Sequence, residues 1–225
     1  MNPPLLIEIG CEEIPARAVP GAAADLAGRL ASILDQAGLA HGAAVPWGGT
    51  RRLAVRIEEV EGRQSDREEE VLGPPAAAAF GADGSLTSAA LGFARKQRVD
   101  PGELKRVRTG KGAYAGFRRK VSGRTVGELL AMALPAAVSG MSFPKTMRWG
   151  TGIHRWVRPV HWLLALHGDR LLPLELFGVR ASQSSQGHRF LEPGPVLIPH
   201  ADRYLERLRS AFVIADPEER RVRLV

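Results

Sequence analysis

The residues able to do chemistry are few in this chain, and their spacing limits what they can do. Its one cysteine lies in "CEEIP", where Cys11 stands beside Glu12 and Glu13. Neighbouring carboxylates raise a thiol's pKa and disfavour a nucleophile. Adjacent residues of a strand point to opposite faces, so Glu12 and Glu13 cannot both face one substrate. Capping of a strand end or an ion pair is the expected role. A single cysteine also excludes an internal disulfide and the Cys-rich zinc sites, and it fits a reducing cytoplasm. The histidines His154, His161, His167 and His188 form no HExxH pattern. His161 lies in an apolar run beside Trp162 and reads as a hydrogen-bonded core histidine rather than a metal ligand or general base.

Two short motifs offer phosphate chemistry. "TGKG", Thr109–Gly112, fails the phosphate-loop pattern: Lys105 occupies the position of its first glycine and Gly112 that of its Ser or Thr. It reads as a hairpin turn whose backbone N–H groups could still approach a phosphate. "GHRF", Gly187–Phe190, offers a turn, two planar donors in His188 and Arg189, and an aromatic anchor in Phe190. An Arg so held forks onto a phosphate or onto a carboxylate of the fold itself.

Charge points to partners more than to reactions. Lys and Arg number 31 against 24 Asp and Glu, a formal net charge of +7 in 225 residues. From Leu104 to Thr125 there are eight cations and no acid: Lys105, Arg106, Arg108, Lys111, Arg118, Arg119, Lys120 and Arg124. From Arg56 to Glu70 there are seven acids, with Arg56, Arg63 and Arg67 among them and Arg52 just outside. Such segregation is expected where one face meets a polyanion.

These residues need elements to position them. "LLIEIG" is a strand ended by Gly10. "PGAAADLAGRLASILDQAG" is a helix with Gly38 as its C-cap, and "RRLAVRIEEV" is a half-buried strand with Leu53, Val55 and Ile57 on one face. Thr87 caps a helix through "SAALGFARKQ". "ELKRVRTGKGAYAGFRRKVSG" is a basic hairpin, near 104–124. "TVGELLAMALPAAV" is a helix that Pro135 kinks or ends. "VHWLLALHG" and "LLPLELFGV" form a hairpin about "GDR", "PHADRYLERLRSAF" is a helix, and "FVIAD" a short strand. The end, "PEERRVRLV", is the first turn of a helix, as in a piece of a longer protein. The fold class is α+β with a mainly antiparallel sheet, hairpins and packed helices. Two lobes are expected, 1–139 and 140–225. No apolar run reaches the about 18 residues that cross a bilayer.

"MSFPKTMRWG", Met141–Gly150, fits neither strand nor surface loop. From Met141 to Arg170 lie three of the four Trp (Trp149, Trp156, Trp162), five cations (Lys145, Arg148, Arg155, Arg158, Arg170) and one acid, Asp169. Three readings stand: base stacking on aromatics among Arg residues, a protein interface anchored by Trp, or a loop pinned into the core. Pro144 denies Phe143 a helical conformation, so a non-regular segment is expected, fastened by Phe143 and Trp149 with Lys145 and Arg148 projecting between. Trp162 is a further anchor.

In order, "LLIEIGCEEIPA", "TRRLAVRI", "AFGADGSLTSAALGFARKQRVD", "MSFPKTMRWG", "VRPVHWLLALHG", "LFGVRASQSSQGHRF" and "VIADPEERR" resemble the N-terminal part of the β subunits of bacterial glycyl-tRNA synthetases of the two-α, two-β type. The family's pattern departs at Thr50, where Pro is expected before Arg51 and Arg52, and at Arg98, where Gly is expected before Val99, which leaves a C-cap after Gln97 in question. The resemblance implies a fold similar to the B3/B4 domain of phenylalanyl-tRNA synthetase β subunits. It also implies a tRNA-binding subunit whose HD-like and anticodon-binding domains lie beyond this chain. The partners would be the α subunit and tRNA(Gly) in a cytoplasmic heterotetramer. ATP and Mg2+ would be used on the α subunit, with no cofactor, metal or catalytic residue here. The candidate tRNA- or partner-binding residues are then Lys105, Arg106, Arg108, Lys111, Arg118, Arg119, Lys120, Lys145, Arg148, Arg158, His188 and Arg189. The rival readings are an editing-type hydrolase built on His161 and His188, and a stand-alone RNA-binding module.

Overall fold

The computed structural model describes residues 2–150 and 152–224, the last by its backbone. Met1, Thr151 and Val225, which fall within the two expected lobes, lie outside the described residues. In chain order the elements are β1 (Leu5–Cys11), α1 (Val19–Ala37), β2 (Ala44–Gly49), β3 (Arg52–Ile57), β4 (Arg67–Pro75), α2 (Ala76–Ala79), α3 (Ser88–Gln97), β5 (Lys105–Thr109), β6 (Gly112–Val121) and α4 (Val126–Ser139). Then follow β7 (Val160–His167), β8 (Arg170–Leu171), β9 (Glu175–Leu176), β10 (Val179–Ser182), β11 (Ser184–Gln186), β12 (Pro195–Leu197), α5 (Tyr204–Ser210) and α6 (Pro217–Leu224). The class is α+β with mainly antiparallel sheets.

The chain forms two compact units, but not the two lobes expected from a cut after residue 139. One unit is Met1–Gln64 with Arg124–Val225; the other is Ser65–Gly123. The reason is long-range pairing: β1 lies between β3 and β7, which ties the first sixty residues to the last hundred or so. The excursion leaves and returns at one place, where the Gln64 amide donates to the Arg124 carbonyl at 2.9 Å.

The larger unit is built on a seven-stranded sheet in the order β2-β3-β1-β7-β10-β9, with β8 hydrogen-bonded to β7. Every pairing is antiparallel except β7 with β10. All seven residues of β1 are buried. Leu5, Ile7 and Ile9 pack with Leu26, Leu30 and Leu34 of α1 and with Leu130 and Leu134 of α4. Leu6 faces the other way, onto a second core with Leu164, Ile198, Tyr204 and Leu208. A sheet covered on both faces needs near-continuous apolar strands. This corrects the half-buried reading of β3: Arg52 and Ala54 are as sheltered as Leu53, Val55 and Ile57.

Helix ends follow local chemistry. Gly38 takes φ 66° and its amide closes α1 onto Leu34 and Asp35. Thr125 and Glu128 form a reciprocal capping box at the start of α4, and the helix runs past Pro135 to Ser139. The "GDR" turn joins β7 only to the two residues of β8, because "LLPLELFGV" is split between β8 and β9 by Pro173. "FVIAD" is not a strand; the Val213 amide bonds back to Leu208 as α5 ends, and Phe212 takes φ 59°.

The smaller unit is a three-stranded antiparallel sheet, β4-β6-β5. Ala90 and Ala94 of α3 pack on Leu104, Ala115 and Phe117. Thr87 caps α3, and Arg98 closes it in the left-handed region at φ 57°, so the helix end is made without glycine.

Candidate binding surfaces

The basic hairpin exists as β5 and β6, with Thr109–Gly112 as its turn. Its charges are not arranged as their segregation in sequence suggests. The acids of β4 are the direct cross-strand neighbours of the cations of β6: Glu68 opposite Lys120, Glu69 opposite Arg119 and Glu70 opposite Arg118. Arg119 reaches Glu69 at 3.1 Å, and Arg118 lies 3.8 Å from Glu70 and 3.9 Å from Glu68. The last three acids of one run and three cations of the other thus face each other across the ladder. On β5, Arg106 stacks over the Phe80 ring at 5.0 Å; Lys105 and Arg108 of that strand and Lys111 of the turn are exposed.

Met141–Gly150 is a non-regular segment held on an aromatic cluster within the larger unit. Phe143 meets Trp156 edge-on at 5.5 Å, Trp149 meets Phe177 edge-on at 5.8 Å, and Phe177 lies 6.2 Å from Trp156. Met147 and Trp156 exchange two backbone hydrogen bonds, at 2.8 and 3.2 Å. Trp156 is the fully buried member, at 1% exposure, whereas Phe143 and Trp149 are half-buried. Lys145, Arg148 and Arg155 are exposed in and beside this segment. Arg158 donates to the carbonyl of Val157 at 2.8 Å.

A third locus was only partly legible. Trp162 is 6% exposed and lies flat over Gly10, where an added Cβ would fall 1.8 Å from the indole. The guanidinium groups of Arg51 and Arg52 stand over the same ring at 5.7 and 5.5 Å. The indole N–H donates to Glu8 Oε1 at 2.7 Å, which also accepts from the Ser185 hydroxyl at 2.8 Å and lies 3.4 Å from Arg52. Arg52 is further held by Ser185 Oγ at 2.9 Å and the Gln186 carbonyl at 2.6 Å. Tyr204 stacks on Trp47 at 5.5 Å, and its hydroxyl, beside Glu8 and Arg52, makes no hydrogen bond of good geometry. Burial pushes that phenol well above its ordinary pKa, and the Glu8 charge adds to the shift. An acid amid the apolar residues of β1 was the signal in the sequence for this network.

Beside it, "GHRF" forms a tight loop. His188 Nδ1 accepts from the amides of Phe190 and Leu191 at 3.3 and 3.2 Å. Arg189 pairs with Glu13 at 3.2 Å. Phe190 does not anchor the loop: it is 79% exposed, with Arg189 over its ring at 5.8 Å. Nor is His161 a core residue. β7 turns it outward, where its Nε2 lies 2.9 Å from Glu12. Glu12 and Glu13 of "CEEIP" thus meet different partners, His161 and Arg189. Cys11 is buried and its pKa is pushed up to about 12, chiefly by burial and then by the Glu12 charge.

These loci combine charged and aromatic side chains, on strands and on one irregular segment. The family described as "Glycyl-tRNA synthetase beta subunit" matches residues 5–225. Proteins named glycine–tRNA ligase beta subunit share 39% identity with this chain in Syntrophus aciditrophicus and 41% in Chromohalobacter salexigens, each over 98% of the chain. One from Nitratidesulfovibrio vulgaris is also 41% identical over 98% of the chain. The chain spans 32% of the length of these relatives. It belongs to the glycyl-tRNA synthetase β subunit family.

Proposed function

We propose that this chain is the part of a glycine–tRNA ligase β subunit that supplies scaffold and RNA- or partner-binding surface, while the α subunit, with ATP and Mg2+, forms the glycyl-adenylate. The assembly is a cytoplasmic heterotetramer of two α and two β subunits that charges tRNA(Gly). The family match supports the subunit reading. The observation that carries the binding role is the set of exposed cations, Lys145, Arg148 and Arg155, on the segment fastened to Trp156. Exposed Arg and Lys beside a rigid aromatic platform suit a phosphate backbone. The hydrolase reading has less support, because His161 is engaged by Glu12 and His188 Nδ1 by two amides. Among the described residues no helix is long and apolar enough to cross a membrane, and no group of three or more His, Cys, Asp or Glu could hold a metal ion.

The test is glycine-dependent ATP–pyrophosphate exchange and tRNA(Gly) charging, with the chain alone and within the full β subunit paired with α. The expected result is no exchange by the chain alone and charging by the complete assembly. Exchange by the isolated chain would overturn the proposal.

A further inference from the structure

A cavity of about 280 Å³ opens in the larger unit, lined among others by Glu13, Arg51, Arg52, His188, Arg189 and Phe190. Its charges divide into those already satisfied and one that is not. Arg52 is taken up by Glu8, Ser185 and Gln186, and Arg189 by Glu13. Arg51 makes no ion pair and no side-chain hydrogen bond among the described residues, and its Nε is buried without a partner. An unmatched buried N–H is costly, and the terminal N–H groups of this half-buried guanidinium, with no protein acceptor, are free to meet a ligand. Its guanidinium carbon stands 5.7 Å from the centre of the Trp162 ring.

Two more groups at the cavity point to the same kind of ligand. Because His188 Nδ1 accepts two amides, the neutral ring carries its proton on Nε2 and can only donate from there. Phe190 is exposed, with Arg189 over its ring, and is held by the tight loop that begins at Gly187, where an added Cβ would fall 2.3 Å from the Glu192 carbonyl oxygen. A fork and an N–H beside an exposed ring suit an anion joined to a flat aromatic group. We infer that this cavity receives one unpaired nucleotide of an RNA strand, its phosphate on Arg51 and His188 and its base against Phe190. The choice of an RNA strand over a free nucleotide rests on the subunit reading above. The volume is near the lower end of ligand-sized cavities, roughly 300 Å³, which fits one nucleotide and not a duplex end.

The test uses the 225-residue chain and three probes: adenosine 5′-monophosphate, adenosine, and a short single-stranded oligoribonucleotide. Tryptophan emission reports binding, since Arg51 lies on Trp162. The monophosphate should bind and adenosine should bind at least tenfold more weakly. The oligoribonucleotide should bind more tightly than the monophosphate. Phe190→Ala removes only an exposed ring and should weaken the monophosphate by about tenfold or more. Arg51→Gln should abolish the preference for the monophosphate over adenosine, and Arg51→Lys should restore part of it. Equal binding of adenosine and the monophosphate overturns the site, as does insensitivity to both Arg51→Gln and Phe190→Ala. An oligoribonucleotide no tighter than the monophosphate overturns the strand assignment. Charging by the complete enzyme is measured in parallel. A chain that binds no probe while the enzyme charges tRNA refutes the pocket alone; failure to charge with any α subunit refutes the subunit reading and leaves the titration to judge the pocket.

Discussion

Two cationic regions of this molecule look alike in sequence and differ in space. Arg118, Arg119 and Lys120 on β6 each face an acid across the ladder, at Glu70, Glu69 and Glu68. Lys145 and Arg148 are exposed on an irregular segment that meets its neighbour only at the single Met147–Trp156 bridge, and among the described residues no ion pair engages them. A strand gives every residue an opposite number at about 4.5 to 5.5 Å, so the cations of β6 meet the acids of β4 before any ligand arrives, whereas Lys105 and Arg108 of β5 face Gly116 and Ala113. A segment without a ladder has no such neighbour and keeps its charge for something else. The charge run was the louder signal along the chain and the weaker one in the structure.

Breaking the aromatic support under the irregular segment should have the largest effect. Trp156→Ala removes the fully buried ring and should cost roughly 3 to 5 kcal/mol, seen as a large drop in melting temperature. Trp149→Ala, at a half-buried ring, should cost clearly less. Equal losses would mean that the segment hangs from both rings alike. Next comes the paired strand. Reversing Arg118, Arg119 and Lys120 to Glu places like charges opposite Glu68, Glu69 and Glu70, and should destabilise the smaller unit by about 1 to 3 kcal/mol in all. Adding Glu68→Lys, Glu69→Lys and Glu70→Lys should restore most of that loss in urea melts. A triple reversal that leaves stability untouched would show that the cross-strand pairs contribute nothing.

Arg98→Gly should stabilise the same unit by about 1 kcal/mol, because Gly adopts the left-handed conformation of this helix end at no steric cost. A neutral or lower denaturation midpoint would count against that end. The smallest change in stability is expected for Lys145→Ala and Arg148→Ala, within about 0.5 kcal/mol as exposed sites. In the full subunit paired with α they should nevertheless weaken tRNA binding. Each lost phosphate contact should remove about 0.7 to 0.9 from the slope of log affinity against log salt. An unchanged slope there, with a reduced slope for the β6 reversals, would invert the comparison between the two regions.

The sequence shows much of the local structure and little of what crosses it. Gly38, Thr87 and the Thr125–Glu128 box mark helix ends because caps are interactions of neighbours within a few residues. The hairpin turn at Thr109–Gly112 is legible for the same reason. The insertion is not, since only the pairing of β1 with β7 shows that residues 65–123 interrupt one sheet. His161 follows from a similar limit: an apolar run says that a strand is buried, but a strand edge can leave one position open, and Glu12 lies there to meet it. Phe190 reads as an anchor from its type alone, whereas exposure is a property of the loop's path rather than of the residue. Of the candidate binding residues, Arg189 could be seen as a cation in need of an acid but not matched to Glu13. Nothing in the sequence separates Arg51 from Arg52, although the structure satisfies Arg52 and leaves Arg51 open.

The register of β1 also sets an order of events during synthesis. Leu5 is paired with His167 and Gly10 with Trp162, so the central strand waits for its second neighbour until residues 160–167 have left the ribosome. The smaller unit needs nothing outside its own continuous stretch to complete its three-stranded sheet, and contacts close in sequence form fastest. The excursion can therefore be folded while the sheet it interrupts is still open, leaving the hydrophobic edge of β1 as the surface most in need of shielding on the nascent chain.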